Sequence, residues 1–165
     1  MTSEHLLHTI PPIYDRNSKI LILGSFPSVK SREVSFYYGH PQNRFWRVLA
    51  AVLGCAVPSS NEEKTALLHS HNIALWDVIK SCDIVGSSDS SIKNVVPNDI
   101  GVILSSCGIR QIYSNGKTSE KLFNKYIKDT VGRDTVALPS TSPANASYNL
   151  ERLTDSWSVI KNNIR

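Results

Sequence analysis

Short apolar runs and amphipathic segments alternate along most of the chain. Runs rich in β-branched and other apolar residues predict four strands, at 19–23, 73–76, 110–113 and 135–138. The first of them, KILIL, is almost continuously apolar and is followed by Gly, Ser, Phe and Pro. Such a run is typical of a strand that is buried in a parallel sheet and leads into a loop.

The segments between these runs carry helical periodicity and helix-end signals. An apolar face runs through 45–53 at helical spacing and ends at Gly54, which suits a C-terminal cap. Further helices are predicted from a capping box at 60–63 to about residue 71, from Pro97 to Gly108, at 117–128 and over 150–164. Alternating strands and helices predict βαβ units, and therefore an α/β fold with a parallel sheet covered on both faces.

Length and composition limit the chain to one such domain. It has 165 residues and 41% hydrophobic content, enough for one substantial core and too little for two ordinary domains. A net charge of +4 fits a polyanionic partner such as nucleic acid, although many mildly basic proteins bind none. The sequence has neither a secretory signal pattern nor a run of about 18 apolar residues, so we expect a soluble intracellular protein.

The cysteines and histidines do not predict a metal site. Cys55, Cys82 and Cys107 are odd in number, far apart and in no CxxC arrangement, so we expect buried thiols without a disulfide framework. His69 and His71 are two residues apart, a spacing that does not align them on a helix face. We therefore predict no bound metal.

The loops that follow the predicted strands contain the candidate chemistry. In a parallel sheet the ligand site lies beyond the carboxyl ends of the strands, which brings together the loops at 24–28, 37–43, 76–82, 114–117 and 139–146. These loops offer hydroxyls, amides, aromatic rings and one well-placed acid, Asp77, but no glycine-rich phosphate cradle. Together they predict a nucleobase pocket beside a phosphate-binding edge.

Each side chain in this predicted pocket also has a simpler structural role. Tyr37 and Tyr38 can stack on a base, but aromatic residues are more often part of a core. Asn43 and Asn115 each offer a donor and an acceptor to a base edge, yet they also suit a helix cap and a turn. Arg44 can meet phosphates. Only their convergence makes the functional interpretation specific.

Five segments in order carry a family resemblance: GSFPS, YYGHPQNRFW, IALWDVIKSC, SNGK and LPSTSPANA. With them the chain resembles the hypoxanthine-DNA glycosylase (DNA-deoxyinosine glycosylase) family of the uracil-DNA glycosylase superfamily. The resemblance extends from about residue 20 to residue 157. It implies one domain over 1–165, a three-layer α/β/α sandwich with a four-stranded parallel sheet. It also implies a monofunctional enzyme of base-excision repair that flips a deaminated base, expected to be hypoxanthine, and hydrolyses its N-glycosidic bond without a cofactor.

The first of these segments departs from the usual superfamily pattern. Most members carry Gly-x-Asp/Asn-Pro, whose polar residue positions water, whereas Phe26 stands at that position here. In the hypoxanthine family the catalytic role is attributed to the asparagine of the HPxN loop, which corresponds to Asn43. The resemblance therefore implies that Asn43 holds the attacking water.

The same resemblance assigns the remaining site residues. The implied base pocket contains Ser25, Phe26, Tyr37, Tyr38, Asp77, Ser81 and Asn115. The implied DNA contacts come from Arg44, Lys117, Ser140, Thr141, Ser142, Pro143, Ala144 and Asn145. The implied partner is DNA with a damaged base, bound by a monomer in the cytoplasm near the nucleoid if the source is prokaryotic, or in the nucleus if it is eukaryotic.

Three other functions fit parts of the sequence. A uracil or mismatch thymine glycosylase would share the fold, and Phe26 is the feature that argues against efficient uracil removal. A serine hydrolase would use Ser25 or Ser28 with His40, although neither serine lies in a GxSxG motif. A non-catalytic nucleic-acid-binding module would bind DNA without producing abasic sites.

Overall fold

The computed structural model describes residues 2–165. The strands are β1 (Glu4–Leu7), β2 (Ile20–Gly24), β3 (Ile73–Asp77), β4 (Ile79–Ile84), β5 (Lys93–Pro97), β6 (Gln111–Asn115) and β7 (Thr135–Leu138). The helices are α1 (Val29–Val34), α2 (Phe45–Leu53), α3 (Asn61–Ser70), α4 (Gly101–Ser106), α5 (Lys117–Tyr126), α6 (Lys128–Val131) and α7 (Leu150–Trp157). Short 3-10 helices cover Asp89–Ser91 and Ser158–Asn162.

The central sheet is parallel and has the order β3-β2-β6-β7. All five residues of β2 are buried, as its apolar run predicted for a strand covered on both faces. The register pairs Gly24 with Asp77, and it places Asn115 opposite Leu138 at the same edge. The predicted four-stranded parallel sheet is confirmed, and its carboxyl edge collects the post-strand loops.

Two hydrophobic clusters cover the two faces of this sheet. Ile20 and Ile22 point into the cluster built by α2 and α7, whereas Leu21 and Leu23 point into the cluster that contains the α5 residue Phe123. This alternation follows from the two-residue period of a strand. The result is the α/β/α sandwich that the sequence predicted.

A second, three-stranded antiparallel sheet with the order β1-β4-β5 was not predicted. The segment 76–82 was expected to be a loop, but β3 extends to Asp77 and β4 begins at Ile79. Only Val78 separates them, and its N–H donates to the carbonyl of Gly24. The chain therefore passes directly from one sheet into the other, without a turn signal in the sequence.

Three local predictions were wrong. Pro97 ends β5 instead of beginning a helix, because the Asn98 side chain donates to the carbonyls of Asp77 and Ile79 and holds this segment against β4. Cys55 is exposed because it follows the α2 cap at Gly54, and Cys107 is only half-buried, whereas Cys82 is buried and burial raises its pKa to about 11. The C-terminal segment is α-helical only to Trp157 and continues as a 3-10 helix.

Candidate active site

A pocket of about 380 Å³ opens at the carboxyl edge of the parallel sheet. That volume lies in the usual range of small-molecule sites, roughly 300–1,000 Å³. Twelve of the predicted site residues line it: Ser25, Phe26, Tyr37, Tyr38, Asn43, Asp77, Asn115, Ser140, Thr141, Ser142, Pro143 and Ala144. The topological rule therefore brought together segments that are more than 100 residues apart in the chain.

Thr141 connects the two asparagines of the pocket. Its hydroxyl lies 2.9 Å from Asn43 Oδ1 and 3.0 Å from Asn115 Nδ2, and its N–H donates to Asn115 Oδ1 at 3.1 Å. Its side chain is fully buried, so little water competes for these bonds. The threonine thereby fixes both carboxamides relative to one another.

The orientation of the Asn43 carboxamide follows from its partners. The N–H of Phe45, at the start of α2, lies 2.9 Å from Asn43 Oδ1 and can act only as a donor. The carboxamide oxygen must therefore face the helix and Thr141, with Nδ2 on the opposite side of the group. Asn43 thus holds the start of α2, which agrees with the helix-cap role that the sequence also allowed. It lines the pocket as well.

Gly24 forms part of the pocket wall, at a position where a larger residue would not fit. A Cβ at this position would lie 2.8 Å from the Tyr38 hydroxyl and closer still to Asp77 Oδ1. Two polar atoms from different segments therefore converge above the end of β2. They provide hydrogen-bonding capacity on the pocket wall.

Tyr38 is held in an unusual state at this point. Its φ of 53° lies in the left-handed region, which costs a residue with a Cβ about 1–2 kcal/mol. Its ring stacks on that of Phe45, with 4.1 Å between the ring centroids. Its buried hydroxyl has no hydrogen-bond partner among residues 2–165. Burial, and then the Asp77 charge, raise the pKa of Tyr38 above its ordinary value, while Asn115 opposes the shift. The hydroxyl therefore stays protonated and able to donate.

Asp77 has a partner that sequence reasoning missed. His8 Nε2 lies 2.8 Å from Asp77 Oδ2, and the two side chains are 1% and 4% exposed. His8 lies just after β1, 69 positions before Asp77 in the chain, so no local spacing in the sequence links the two residues. The structure also brings to the pocket wall three residues outside the predicted loops, Ser31, Ser87 and Asp89.

Four predicted site residues do not line the pocket. Ser81 is buried in β4 opposite Leu7, and Lys117 is an exposed residue at the start of α5. Arg44 donates to the carbonyls of Ser142, Asn145 and Tyr148, and the Asn145 side chain donates to Ser140 O at 3.0 Å. Arg44 and Asn145 thus set the shape of the loop after β7.

The geometry does not assemble a serine hydrolase. Ser28 accepts the N–H of Ser31 as the cap of α1, and its hydroxyl lies 3.1 Å from Ser31 Oγ. His40 Nδ1 accepts the N–H of Gln42 at 3.1 Å. Within residues 2–165, neither Ser25 nor Ser28 is hydrogen-bonded to His40, so the nucleophile–base contact of that mechanism is not formed.

The described residues include neither a metal-ligand cluster nor a membrane-spanning helix. No group of three or more His, Cys, Asp or Glu side chains in the described part of the chain could hold a metal ion. None of the helices between residues 2 and 165 combines the length and apolar character that a membrane crossing requires.

Comparisons with known proteins place this architecture in a family. The family model described as "Uracil DNA glycosylase superfamily" matches residues 11–162. The chain belongs to the uracil DNA glycosylase superfamily. The sequence-based family assignment and fold class are thereby confirmed.

Individual relatives narrow the relationship. The chain is 36% identical to a hypoxanthine DNA glycosylase of Methanosarcina barkeri (strain Fusaro / DSM 804), over 82% of this chain and 85% of the relative. It is 34% identical to a hypoxanthine DNA glycosylase of Methanosarcina acetivorans, over 91% and 94% of the two chains. The solution NMR structure of a candidate uracil DNA glycosylase from M. acetivorans matches with a TM-score of 0.79 and 33% identity, over 92% of this chain and 94% of that one.

Proposed function

We propose that the protein excises hypoxanthine from DNA by hydrolysing the N-glycosidic bond and leaves an abasic site. Membership of the superfamily makes the chain a DNA glycosylase, in agreement with the sequence. The observation that carries the mechanism is the fixed Asn43–Thr141–Asn115 network at the pocket. The choice of hypoxanthine is supported by two relatives named hypoxanthine DNA glycosylase that are 34–36% identical.

Asn43 is the proposed water-positioning residue. Because its oxygen is already engaged by Phe45 N–H and the Thr141 hydroxyl, Nδ2 is the atom free to hold a water. A water held in this way can attack the anomeric carbon once the nucleotide has flipped into the pocket, which costs a few kcal/mol. The residues described as lining the pocket include no lysine, so the wall offers no amine for a covalent Schiff-base mechanism.

The loop after β7 is the proposed contact to the DNA strand. Pro143 and Ala144 are exposed at the pocket mouth, while Arg44 holds the neighbouring carbonyls from behind. We place the loop tip against the DNA backbone next to the flipped nucleotide, with Lys117 as a nearby cation. The enzyme would act as a monomer. Its affinity should weaken as salt rises, because phosphate contacts release counterions.

A single-turnover assay tests the reaction and the role of Asn43. Duplexes carrying one hypoxanthine or one uracil are incubated with excess protein, and abasic sites are then cleaved with alkali. Wild-type protein should act on hypoxanthine, and Asn43→Ala should slow excision by about 10²-fold or more, because the attacking water loses its position.

The control is Asn17→Ala, which removes the same side chain from an exposed loop and should leave the rate unchanged. Faster cleavage at uracil than at hypoxanthine would refute the proposed substrate and keep the family. DNA binding without abasic product would favour the non-catalytic alternative. An Asn43→Ala protein with full activity would refute the mechanism.

A further inference from the structure

His8 lies behind Asp77, which lines the pocket, and the hydrolytic step described above uses neither residue. His8 lies outside residues 11–162, the segment that the superfamily model matches, and is supplied by the N-terminal segment. Its side chain is almost completely buried and does not line the pocket, whereas Asp77 does. Any influence of His8 on a bound base must therefore pass through Asp77.

Several contacts hold His8 in this position. The backbone N–H of His8 donates to Lys80 O at 2.7 Å, which continues the pairing of β1 with β4. The centroid of its imidazole ring lies 6.0 Å from that of the Phe26 ring and 6.1 Å from that of the Tyr37 ring. The Tyr37 hydroxyl donates to Pro11 O at 2.8 Å, which ties down the chain just after the histidine. The imidazole is thus fixed by three different parts of the fold.

The pair fixes the hydrogen-bonding character of Asp77. An ionised carboxylate can only accept, so His8 Nε2 donates to Oδ2 and leaves Oδ1 as an acceptor. Asp77 Oδ1 lies above Gly24, next to the Tyr38 hydroxyl, which is protonated and has no partner among residues 2–165. The pocket wall thus carries one donor and one acceptor side by side.

We propose that His8 is a positioning residue, which orients Asp77 for recognition of a deaminated base. Asp77 Oδ1 then accepts the N–H of the base, and the Tyr38 hydroxyl donates to the adjacent carbonyl of the same base. This inference rests on the proposed function. Hypoxanthine presents a carbonyl beside N1–H, whereas adenine presents an amino group beside an unprotonated N1. Adenine would set its N1 lone pair against the Asp77 carboxylate, and a buried carboxylate oxygen left without a donor supports strong discrimination.

The test compares excision of hypoxanthine with excision of unsubstituted purine, placed in the same duplex as 2′-deoxynebularine. Purine lacks both the carbonyl and the N1–H, so the ratio of the two single-turnover rates measures recognition of that edge. In Asp77→Asn, the His8 N–H should hold the amide oxygen, which turns the new NH₂ group toward the base. The hypoxanthine-to-purine ratio should then fall roughly 10–100-fold relative to wild type, the usual cost of one mismatched buried hydrogen bond.

Three further variants separate positioning from a general structural role. His8→Leu should lower the ratio about tenfold, and His8→Gln should restore most of it, because the glutamine amide can still donate to the carboxylate. His5→Gln is the matched control in the same N-terminal segment and should leave the ratio unchanged, because His5 pairs with Asp83 at the surface. A purely structural role of His8 would lower both rates equally and leave the ratio intact.

The outcomes distinguish this inference from the proposed function. A wild-type protein that releases neither base refutes the proposed function, and the inference falls with it. An active wild type whose ratio is unchanged in Asp77→Asn and His8→Leu overturns the inference alone. If either variant fails to show a cooperative melting transition, Tyr38→Phe provides the test by removing only the donor hydroxyl. An unchanged ratio in Tyr38→Phe would also overturn the proposed donor–acceptor recognition.

Discussion

The N-terminal segment makes two histidine–aspartate contacts of nearly identical length in very different surroundings. His5 Nδ1 lies 2.7 Å from Asp83 Oδ1, and His8 Nε2 lies 2.8 Å from Asp77 Oδ2. The first pair is 64% and 29% exposed, and the second is 1% and 4% exposed. Water and salt screen the first pair, whereas the second has no solvent to replace a lost partner. Contact distance therefore says little about the importance of either pair.

The largest expected difference between the pairs follows from removing each carboxylate. Asp77→Ala leaves His8 buried without a partner, and breaking a buried pair in this way costs about 3–5 kcal/mol in the free energy of unfolding. Asp83→Ala should cost much less, because its contacts with His5 and Asn94 lie at the surface. Urea unfolding of both variants checks this expectation. Equal shifts of the two unfolding midpoints would refute the contrast.

A smaller effect is expected from a methyl group placed beside the buried pair. In Gly24→Ala the new Cβ meets Asp77 Oδ1 and the Tyr38 hydroxyl, so overpacking should cost about 1–3 kcal/mol and reduce excision of hypoxanthine. Gly108→Ala is the matched control, because a Cβ there has no neighbour within 4 Å. Thermal melting and single-turnover rates provide the two readouts. Loss of stability and rate in Gly108→Ala but not in Gly24→Ala would contradict the packing argument.

The smallest effect concerns the pH response of the exposed pair. Hydrogen bonds from Asn94, and then from His5, lower the pKa of Asp83. A lowered pKa in the folded state contributes stability above the ordinary carboxyl pKa, and this contribution is lost as the pH falls through the folded pKa. Asn94→Ala should therefore raise the pKa of Asp83 toward its ordinary value, as measured by NMR titration of the carboxyl carbon. An unchanged titration midpoint would show that Asn94 does not control this group.

The same two histidines show what the sequence could not reveal. His5 and His8 both lie in the stretch EHLLHTIPP, and nothing in that stretch marks one as exposed and the other as buried. A separation of three residues in extended chain places them on opposite faces, but only the pairing of β1 with β4 decides which face meets Asp77. The antiparallel sheet itself had no turn signal between β3 and β4. The buried partner of Asp77 was therefore beyond sequence reasoning.

The parallel sheet and most of the pocket were predictable because they depend on local signals in the sequence. The apolar run of β2 and the helical periodicity of α2 are strong local signals, and the carboxyl-edge rule converts strand order into a site. This rule placed Asn43, Asn115 and the loop after β7 together correctly. The role of Thr141 as the connection between the two asparagines was not visible, because it depends on side-chain geometry across 98 positions of sequence.

The most direct test of hydrolysis by an Asn43-held water is the stoichiometry of the products released from a duplex with one deoxyinosine. Free base is identified by mass spectrometry, and abasic sites are counted after alkali, with Asn43→Ala run beside wild type. We expect one free hypoxanthine for each abasic site, an intact strand before alkali, and neither product from the variant within the wild-type reaction time. Strand breakage before alkali with a borohydride-trapped protein–DNA adduct, or abasic sites formed equally fast by Asn43→Ala, would contradict hydrolysis by a water that Asn43 holds.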